Sequence, residues 1–334
     1  MAAAPRVNPE DFFSPEEWAR LSHRSSWRGL ACVAHCWAVI GASMALVAWS
    51  PWFLPLAILW VGNRQLGLFI LMHDAAHAVL HPDRRINDAV GFWFCGTEMT
   101  AYRAYHLQHH RYVQQSEDPD LVLSAPFPIS RASLRRKMWR DISGQTFYKQ
   151  RRAQFAVALR GAQFMLTSES GDGKADTHAG RALNMQNRTE LNAPVANVEG
   201  AKTTARTVGR FLLVQIILLA ISLLVWGWTP FLLWLTALAT TFQLFLRIRN
   251  IAEHACTPTG SGDPFTHART TQAGVIARMT VAPYWVNYHS EHHLFMGVPC
   301  YNLAATHRLL GTGGFYPRMT VSPNYRDVLA QVVR

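Results

Sequence analysis

The sequence has few charged residues and few cysteines. Only 16% of its 334 residues are Asp, Glu, Lys or Arg, whereas 49% are hydrophobic, and soluble domains average about 25% charged residues. The cysteines are Cys32, Cys36, Cys95, Cys256 and Cys300. Because they are odd in number and contain no C-x-x-C pair, neither a disulfide scaffold nor a zinc ribbon is indicated. The composition also argues against an ordinary cytosolic protein.

Charge is nearly absent from four long hydrophobic stretches. These are residues 29–49, 52–72, 211–228 and 231–246. Arg64 is the only charged residue in them. A helix of about 20 apolar residues crosses a hydrocarbon core of about 30 Å, and Ser50-Pro51 and Thr229-Pro230 indicate tight turns. We therefore expect an all-α integral membrane protein with four transmembrane helices in two hairpins.

The charge that is present is mostly positive and lies between the two hairpins. Lys and Arg number 32 and Asp and Glu 21, for a formal charge of +11. Both predicted turns lack Lys and Arg, whereas residues 131–152 contain a run of them opposed only by Asp141. This asymmetry predicts that both termini and the middle segment are cytoplasmic. It suits anionic lipid headgroups better than nucleic acid, which we do not expect as a partner.

The chain divides into three regions by composition. Residues 1–28 are polar and lack the apolar core of a signal peptide, and Ser14-Pro15-Glu16-Glu17 indicates the start of a short helix. Residues 29–310 form the predicted membrane domain, and residues 311–334 form a cytoplasmic tail. Within the domain, residues 167–205 are polar, poor in aromatics and without periodicity. They predict a flexible loop.

Histidine, by contrast, is abundant, with 15 residues. Nine of them form short clusters: His73 and His77; His106, His109 and His110; His254; and His289, His292 and His293. Spacings of three and four residues place the imidazoles of each cluster on one helix face, and the predicted topology brings all clusters to one side of the membrane. The other six, His23, His35, His81, His178, His267 and His307, are interpreted as ordinary residues, with His35 packed and hydrogen-bonded inside the first span.

This convergence predicts a metal centre. Nine imidazoles are too many for one four-coordinate zinc, but they suffice for two iron ions with open positions for oxygen. The sequence contains neither the H-E-x-x-H of zinc proteases nor the Glu-x-x-His of soluble di-iron bundles. Acids that could orient the imidazoles are Asp74, Glu98, Glu117, Asp118, Asp120, Glu253 and Glu291.

The boxes HDAAH, HLQHH and HSEHH resemble those of the membrane fatty acid desaturase superfamily, a group of non-haem di-iron proteins with three histidine boxes. Glu117-Asp-Pro-Asp-Leu121 and Tyr301-Asn-Leu303 resemble the superfamily's flanking sequences. Asn250-Ile-Ala-Glu-His254 is similar to its additional N-x(3)-H element. The resemblance covers residues 71–310. The superfamily contains hydroxylases and carotenoid ketolases as well as desaturases.

The resemblance implies a cytoplasmic helical cap that carries the boxes. It implies two irons held by the nine clustered histidines, with Asn250 bound through water. The expected activity uses O2 and two electrons to introduce a double bond into a fatty acyl chain. Because His81-Pro-Asp-Arg84 departs from the H-P-G-G of a fused haem domain, we expect a separate electron donor of the ferredoxin or cytochrome b5 type.

Two aromatic segments are candidates for lining a substrate tunnel. They are Gly91-Phe-Trp-Phe-Cys95 and Ala282-Pro-Tyr-Trp-Val286, although the same aromatics could equally face lipid at the membrane interface. Arg103, Arg247 and Arg249 are expected to lie among lipid headgroups. That position is the more common one for such residues, although they could also hold a substrate headgroup.

Two alternatives to a desaturase stay open at this stage. The first is a lipid hydroxylase or a carotenoid ketolase or hydroxylase of the same superfamily, because the boxes do not distinguish these reactions. Product analysis distinguishes them. The second is a non-enzymatic haem or metal carrier, which requires two facing histidines inside the bilayer. Only His35 is placed in this way, and a Soret band would support that alternative.

Overall fold

The structure is a computed structural model that describes residues 3–167, 198–259 and 262–334. These residues are mostly helical. The α-helices are α1 (Pro15–Leu21), α2 (Arg28–Trp49), α3 (Leu54–Ala76), α4 (Arg84–Val90), α5 (Met99–Tyr112), α6 (Leu121–Ser124), α7 (Arg131–Ile142), α8 (Gln145–Leu166), α9 (Val198–Val225), α10 (Thr229–Ala239), α11 (Thr241–His254), α12 (Val275–Arg278), α13 (His289–Leu294), α14 (Cys300–Thr312) and α15 (Tyr325–Gln331). Two short strands, β1 (Arg269–Thr271) and β2 (Thr320–Ser322), pair in parallel.

Shorter helical turns connect these elements. The 3-10 turns are Pro9–Asp11, Pro51–Phe53, Pro264–Thr266, Pro283–Trp285 and Tyr316–Arg318, and Gly91–Cys95 forms a π turn. Each of the first four begins with proline, which has no N–H to satisfy and whose φ suits the first helical position.

Four segments are long and apolar enough to cross a membrane, as the sequence predicts. They are Arg28–Trp49, Pro51–Ala76, Val198–Val225 and Thr229–His254. Only 11% of the apolar window of Val198–Val225 is buried, against 56% for Pro51–Ala76. A helix that is apolar around its whole circumference and remains uncovered by protein suits contact with lipid. The hairpin pairing of the spans and the cytoplasmic position of the cap stay predictions.

The fourth span is divided at Thr240, whose backbone (φ −121°, ψ −84°) is not helical. The hydroxyl of Thr241 donates to the carbonyl of Ile58 in α3 at 2.8 Å. Gly62 permits this approach, since a Cβ there would lie 2.0 Å from the Thr241 hydroxyl oxygen. The contact fixes α11, which ends at His254, against α3, which contains His73.

The structure corrects one boundary of the predicted loop. Residues 168–197 lie outside the described residues, but residues 198–205 belong to α9. The buried residues of its first turns are Gly200, Ala201, Thr204 and Val208. Gly161 of α8 lies so close that a Cβ there would be 2.0 Å from the carbonyl oxygen of Ala201. Because this buried stripe consists mostly of small residues, hydrophobicity did not reveal the helix, and the loop prediction is wrong for these eight residues.

Both terminal segments pack against the rest of the described chain. The predicted cap of α1 is confirmed, because the Ser14 hydroxyl accepts from the Glu17 N–H at 3.2 Å and the Glu17 carboxylate accepts from the Ser14 N–H at 2.9 Å. Phe13 lies 5.0 Å from Phe295, ring centre to ring centre. At the other end, β2 of the predicted tail pairs with β1.

Candidate metal centre

All nine clustered histidines meet where α3, α5, α11 and α13 end or begin. They form two groups, and in each group one nitrogen from every ring lies within 4.8 Å of the corresponding nitrogens of the other rings. The five-histidine group contains His73, His77, His106, His110 and His292. The four-histidine group contains His109, His254, His289 and His293. The predicted convergence is therefore confirmed, whereas the binding of metal by these residues stays a prediction.

In the four-histidine group, outer partners fix the orientation of two rings. His109 Nδ1 lies 2.8 Å from a carboxylate oxygen of Asp118, and His254 Nδ1 lies 3.0 Å from the carbonyl oxygen of His267. Since both oxygens accept, each Nδ1 carries the proton and a neutral ring presents a bare lone pair at Nε2. Metal-binding histidines have this arrangement.

The inward nitrogens of this group lie close together. His254 Nε2 and His289 Nε2 are 2.9 Å apart, and His289 Nε2 and His293 Nε2 are 3.1 Å apart. Lone pairs at this separation repel each other unless protons or a cation lie near them. The donor set therefore fits a metal ion with a preference for imidazole.

The five-histidine group has the same inward arrangement but fewer outer partners. His110 Nε2 lies 2.9 Å from His106 Nε2 and 3.0 Å from His292 Nε2. Within the described ranges, His73 Nε2, His77 Nε2 and His106 Nδ1 are buried without a hydrogen-bond partner. Buried polar atoms normally have partners, so these orphaned nitrogens also fit a bound cation.

Burial keeps most of these rings neutral. It lowers the pKa of His106 and His110 well below the usual range, and the neighbouring histidines lower it further. For His77, burial is again the main cause and lowers the pKa to about 3. Metal binding requires the neutral imidazole, so the environment provides the required protonation state at pH 7.

His109 is the exception. Burial on its own lowers its pKa, but the Asp118 carboxylate outweighs this effect and raises the pKa to about 9. The same carboxylate that holds Nδ1–H thus makes the ring a stronger ligand. At pH 7 the metal-free ring also carries a proton on Nε2, which a bound metal ion would have to displace.

Four of the seven candidate acids lie against the box histidines. Asp118 binds His109, and Asp120 lies 3.8 Å from the same ring. Glu253 lies 3.4 Å from His289 Nδ1. Asp74 lies 3.7 Å from His73 Nδ1 and accepts from the Cys300 N–H at 2.9 Å.

The other three acids have different surroundings. Glu291 binds His307 Nδ1 at 2.6 Å and the hydroxyl of Thr270, so it supports α13 rather than a ligand ring directly. Glu98 lies 4.0 Å from Arg151 in the wall of a cavity. Glu117 is half-buried, and its carboxylate accepts from the Ser116 hydroxyl at 2.8 Å. These contacts do not support Glu98 and Glu117 as partners of box histidines, and that role stays a prediction for both.

Asn250 lies on α11 beside the four-histidine group. It lines a small cavity with His109, His254 and His289. Its Nδ2 is buried and has no hydrogen-bond partner among the described residues, while its Oδ1 accepts from Arg249 at 3.1 Å. This position suits the predicted contact through water, which stays a prediction.

The three arginines expected among lipid headgroups bind protein instead. Arg103 donates to the carbonyls of Ala75 and Ala76 at 2.9 and 3.0 Å and pairs with Asp88. Arg247 pairs with Asp141, and Arg249 pairs with Glu253. Arg247 and Arg249 are buried. The expectation that the three arginines lie among lipid headgroups is therefore wrong. The three side chains secure the helices that carry the histidines.

Two residues that support the centre are not predicted from the sequence. Tyr102 stacks on His106 at 5.0 Å and 11° between planes. Its position four residues before His106 on α5 was the available signal. His307 was interpreted as ordinary, but its ring holds Glu291 of the third box. Of the remaining ordinary histidines, His178 lies outside the described residues.

A cavity lies between the helices next to the five-histidine group. Met72, one residue before His73, is in its wall, together with Trp93, Phe94 and Cys95. These three residues of the segment 91–95 therefore line a cavity, and the identity of this cavity with the substrate tunnel stays a prediction. The segment 282–286 behaves differently, because the Tyr284 hydroxyl donates to the carbonyl of Cys32 in α2 at 2.9 Å. This contact does not support the segment 282–286 as part of a tunnel wall.

Comparison with known proteins gives partial matches to enzymes that act on different substrates. The chain is 38% identical over 100 residues to a dihydrorhizobitoxine desaturase of Bradyrhizobium elkanii, covering 28% of each protein. It is 34% identical over 102 residues to a beta-carotene ketolase of Paracoccus sp., covering 26% of this chain and 42% of the ketolase. An sn-1 oleoyl-lipid 12-desaturase of Anabaena variabilis is 26% identical over 108 residues, covering 32% of this chain and 30% of that protein.

These alignments cover less than half of each relative. The match to the fatty acid desaturase family as a whole is much longer, because the family profile aligns with residues 49–321. This range includes all nine clustered histidines and the whole of three of the four candidate spans, and it begins at Trp49, the last residue of the first span. The chain therefore belongs to the membrane fatty acid desaturase superfamily.

Proposed function

We propose that this oxidoreductase is a membrane-bound di-iron oxygenase that introduces a double bond into a fatty acyl chain. In this reaction two hydrogens leave adjacent carbons, and O2 takes up two further electrons and two protons to give two molecules of water. The observation that carries the proposal is the division of nine inward-facing imidazoles into two adjacent groups. The carotenoid-type and lipid-type relatives support the superfamily rather than one substrate.

Each histidine group would hold one iron, with Asn250 acting through water on the four-histidine side. When bound, the two irons supply the activation of O2 that no protein side chain can perform. The protein contributes orientation, because Asp118 and the His267 carbonyl fix the rings of His109 and His254. It also excludes water, because seven of the nine rings are buried and His77 and His293 are half-buried.

The cavity beside Met72 suits an apolar substrate. Its wall contains Phe69, whose ring lies 5.2 Å from that of Tyr102, which in turn stacks on His106. Leu68, Phe242 and Leu246 continue the apolar lining. A chain lying there would place its carbons next to the helix that carries His73. This adjacency supports an acyl chain as the substrate and Trp93 to Cys95 as part of its binding surface.

We further propose that electrons come from a separate ferredoxin-type or cytochrome b5-type donor, and that the histidine groups and both termini face the cytoplasm. The absence of an H-P-G-G signature in the sequence and the positive charge of residues 131–152 support these two proposals. The division into residues 1–28, a membrane domain of residues 29–310 and residues 311–334 is part of the same proposal. The membrane and the acyl lipid are then the remaining partners.

A second candidate is a lipid hydroxylase or a carotenoid ketolase or hydroxylase. The similarity to the beta-carotene ketolase favours it, because this alignment covers the largest share of a relative among the three proteins compared. In hydroxylation one oxygen atom enters a C–H bond and the other leaves as water. Product analysis separates the two reactions, since only the second retains oxygen in the lipid.

The test is expression in a host of known lipid composition that contains active electron donors. Mass spectrometry of its fatty acids should show new species that lack two hydrogens. The His109→Ala variant is the control and should give the host's own profile. Products that retain an oxygen atom would instead support the second candidate, a hydroxylase or ketolase. Unchanged profiles for both proteins would contradict an acyl-lipid substrate.

A further inference from the structure

Arg64 is a charged residue inside the second candidate span, and its role is separate from the histidine groups. It lies on α3, nine residues before His73, and its side chain is half-buried. A charged side chain within a membrane span is costly and usually marks a functional site or an ion pair. The partners of Arg64 decide between these two explanations.

In the part of the chain that the structure describes, the groups that contact the Arg64 guanidinium are neutral. Its Nε donates to the Asn63 side-chain oxygen at 2.8 Å, and another guanidinium nitrogen lies 3.4 Å from the Tyr284 hydroxyl and 3.5 Å from His35 Nδ1. Over residues 3–167, 198–259 and 262–334, no carboxylate lies within 4.0 Å of this guanidinium. The positive charge is therefore not compensated by the described protein.

The neutral partners are themselves held in place. The Asn63 amide donates to the carbonyl of Thr280 at 2.7 Å, which turns its oxygen towards Arg64. The Tyr284 hydroxyl donates to the carbonyl of Cys32, so it accepts from His35 Nδ1 at 2.9 Å. His35 is thus hydrogen-bonded as predicted, although it is exposed rather than packed. We call His35, Asn63, Arg64 and Tyr284 the polar cap.

The polar cap closes one end of an apolar groove between α2 and α3. The groove has a volume of about 540 Å³. Its walls are formed by Val39, Ala42 and Leu46 of α2, by Trp60 of α3 and by Met279. His35 and the three wall residues of α2 follow helical spacing, so they form one stripe along that helix. The shape is a slot for a hydrocarbon chain with a cation at one end.

The groove leads away from the histidines. From Arg64, the α3 wall runs back to Trp60, whereas His73 lies nine residues in the other direction, about 13 Å along the helix. The α2 wall extends from His35 to Leu46, about 16 Å. A molecule whose charged end lies on Arg64 would therefore place its chain far from the metal centre. It would be a bound lipid and not the substrate.

We propose that this groove binds one anionic phospholipid, with its phosphate on the Arg64 guanidinium and an acyl chain along Val39, Ala42 and Leu46. Charge complementarity selects the occupant, because the guanidinium is the uncompensated charge and presents paired N–H donors that match phosphate oxygens. Basic pockets between membrane helices bind anionic headgroups in this way. The binding does not depend on which reaction the histidine groups support.

Native mass spectrometry of the full chain tests the proposal. The purified protein is mixed with equal amounts of dioleoyl phosphatidylglycerol and dioleoyl phosphatidylcholine. The wild type should retain one molecule of the anionic lipid in preference to the neutral one. Arg64→Gln should weaken this binding by about tenfold or more, as expected for the loss of a charge-assisted hydrogen bond. Arg85→Gln, which removes an exposed arginine on α4, should bind as the wild type does.

A second variant covers the case in which Arg64→Gln fails to fold. Ala42→Trp keeps the polar cap but fills the groove, so it should lose the lipid while its thermal unfolding temperature stays close to that of the wild type. Equal retention of phosphatidylglycerol by wild type, Arg64→Gln and Ala42→Trp would overturn the proposal. So would equal retention of the two lipids by the wild type. Displacement of the lipid by sodium oleate would also overturn it, because the ligand would then be a carboxylate.

Discussion

The two histidine groups lie side by side but have different surroundings. In the four-histidine group, Asp118 and the His267 carbonyl bind the outer nitrogens of two rings, and Glu253 lies near a third. In the five-histidine group, three nitrogens have no hydrogen-bond partner among the residues described. Two rings of the four-histidine group are therefore oriented by short outer hydrogen bonds. In the five-histidine group the outer contacts described are the longer Asp74–His73 approach and the stacking of Tyr102 on His106.

This difference has a physical consequence. Outer hydrogen bonds fix the tautomer and the direction of a ligand ring, so the four-histidine group depends on single acids that mutation can remove. The five-histidine group has one ligand more and depends on the packing of α3, α5 and α13. Variants can separate the two kinds of support.

The largest effect is expected from the loss of a ligand. His106→Ala removes a nitrogen from the five-histidine group and the ring on which Tyr102 stacks. Because changes in outer partners alone reduce metal affinity by about 10–100-fold, we expect a loss of at least about 100-fold in product formation. Iron content and lipid products of the purified protein are the measurements. His23→Ala, at an exposed histidine outside both groups, should match the wild type, and an active His106→Ala enzyme with full iron would refute the assignment.

A smaller effect is expected from Asp118→Asn. The amide keeps the size of the side chain but removes the charge that holds His109 Nδ1–H, so we expect a loss of about 10–100-fold in iron affinity. Competition with a chelator measures it. Glu117→Gln is the matched control, because the carboxylate of this neighbouring residue accepts from the Ser116 hydroxyl. Equal affinities of the two variants would show that the carboxylate does not orient the ring.

Glu291→Gln should affect stability more than metal binding. Glu291 is fully buried, and in the described residues the hydrogen bonds of its carboxylate are to His307 and Thr270, which belong to neither histidine group. The loss of a buried charge-assisted hydrogen bond costs about 1–3 kcal/mol. Thermal unfolding should therefore begin at a lower temperature, while iron affinity below that temperature stays within about threefold of the wild type. A loss of iron as large as that in Asp118→Asn would assign Glu291 to the centre itself.

The smallest effect on metal is expected from Asn250→Ala. A contact through water contributes less than a direct ligand, so we expect iron affinity to fall only several-fold, on the four-histidine side alone. Asn302→Ala is the control, because its amide donates to the carbonyl of Leu21 at 2.8 Å, away from both groups. An unchanged affinity in Asn250→Ala would remove Asn250 from the site.

The sequence predicts which histidines converge but not how they divide. His109 and His110 are adjacent, yet they belong to different groups, and the third box also contributes to both. Neighbouring residues on a helix point about 100° apart, so the assignment depends on which helices pack on either side of α5. Helical spacing alone contains no such information.

The same reason explains the failures. Arg247 and Glu98 have ordinary sequence surroundings, and only the packed structure shows that one pairs with Asp141 and the other lies near Arg151. Hydropathy predicts the four spans well, because the apolar composition of each segment is sufficient to indicate a membrane span. It misses the start of α9, where small residues such as Gly200 and Ala201 pack closely against α8.

The most direct test of the two groups is the metal content of the purified full chain, measured by elemental mass spectrometry. The visible absorption spectrum is recorded on the same sample. The account predicts about two irons per chain and no Soret band, with at most one strongly bound iron in Asp118→Asn. One zinc per chain, or a Soret band from haem, would contradict it.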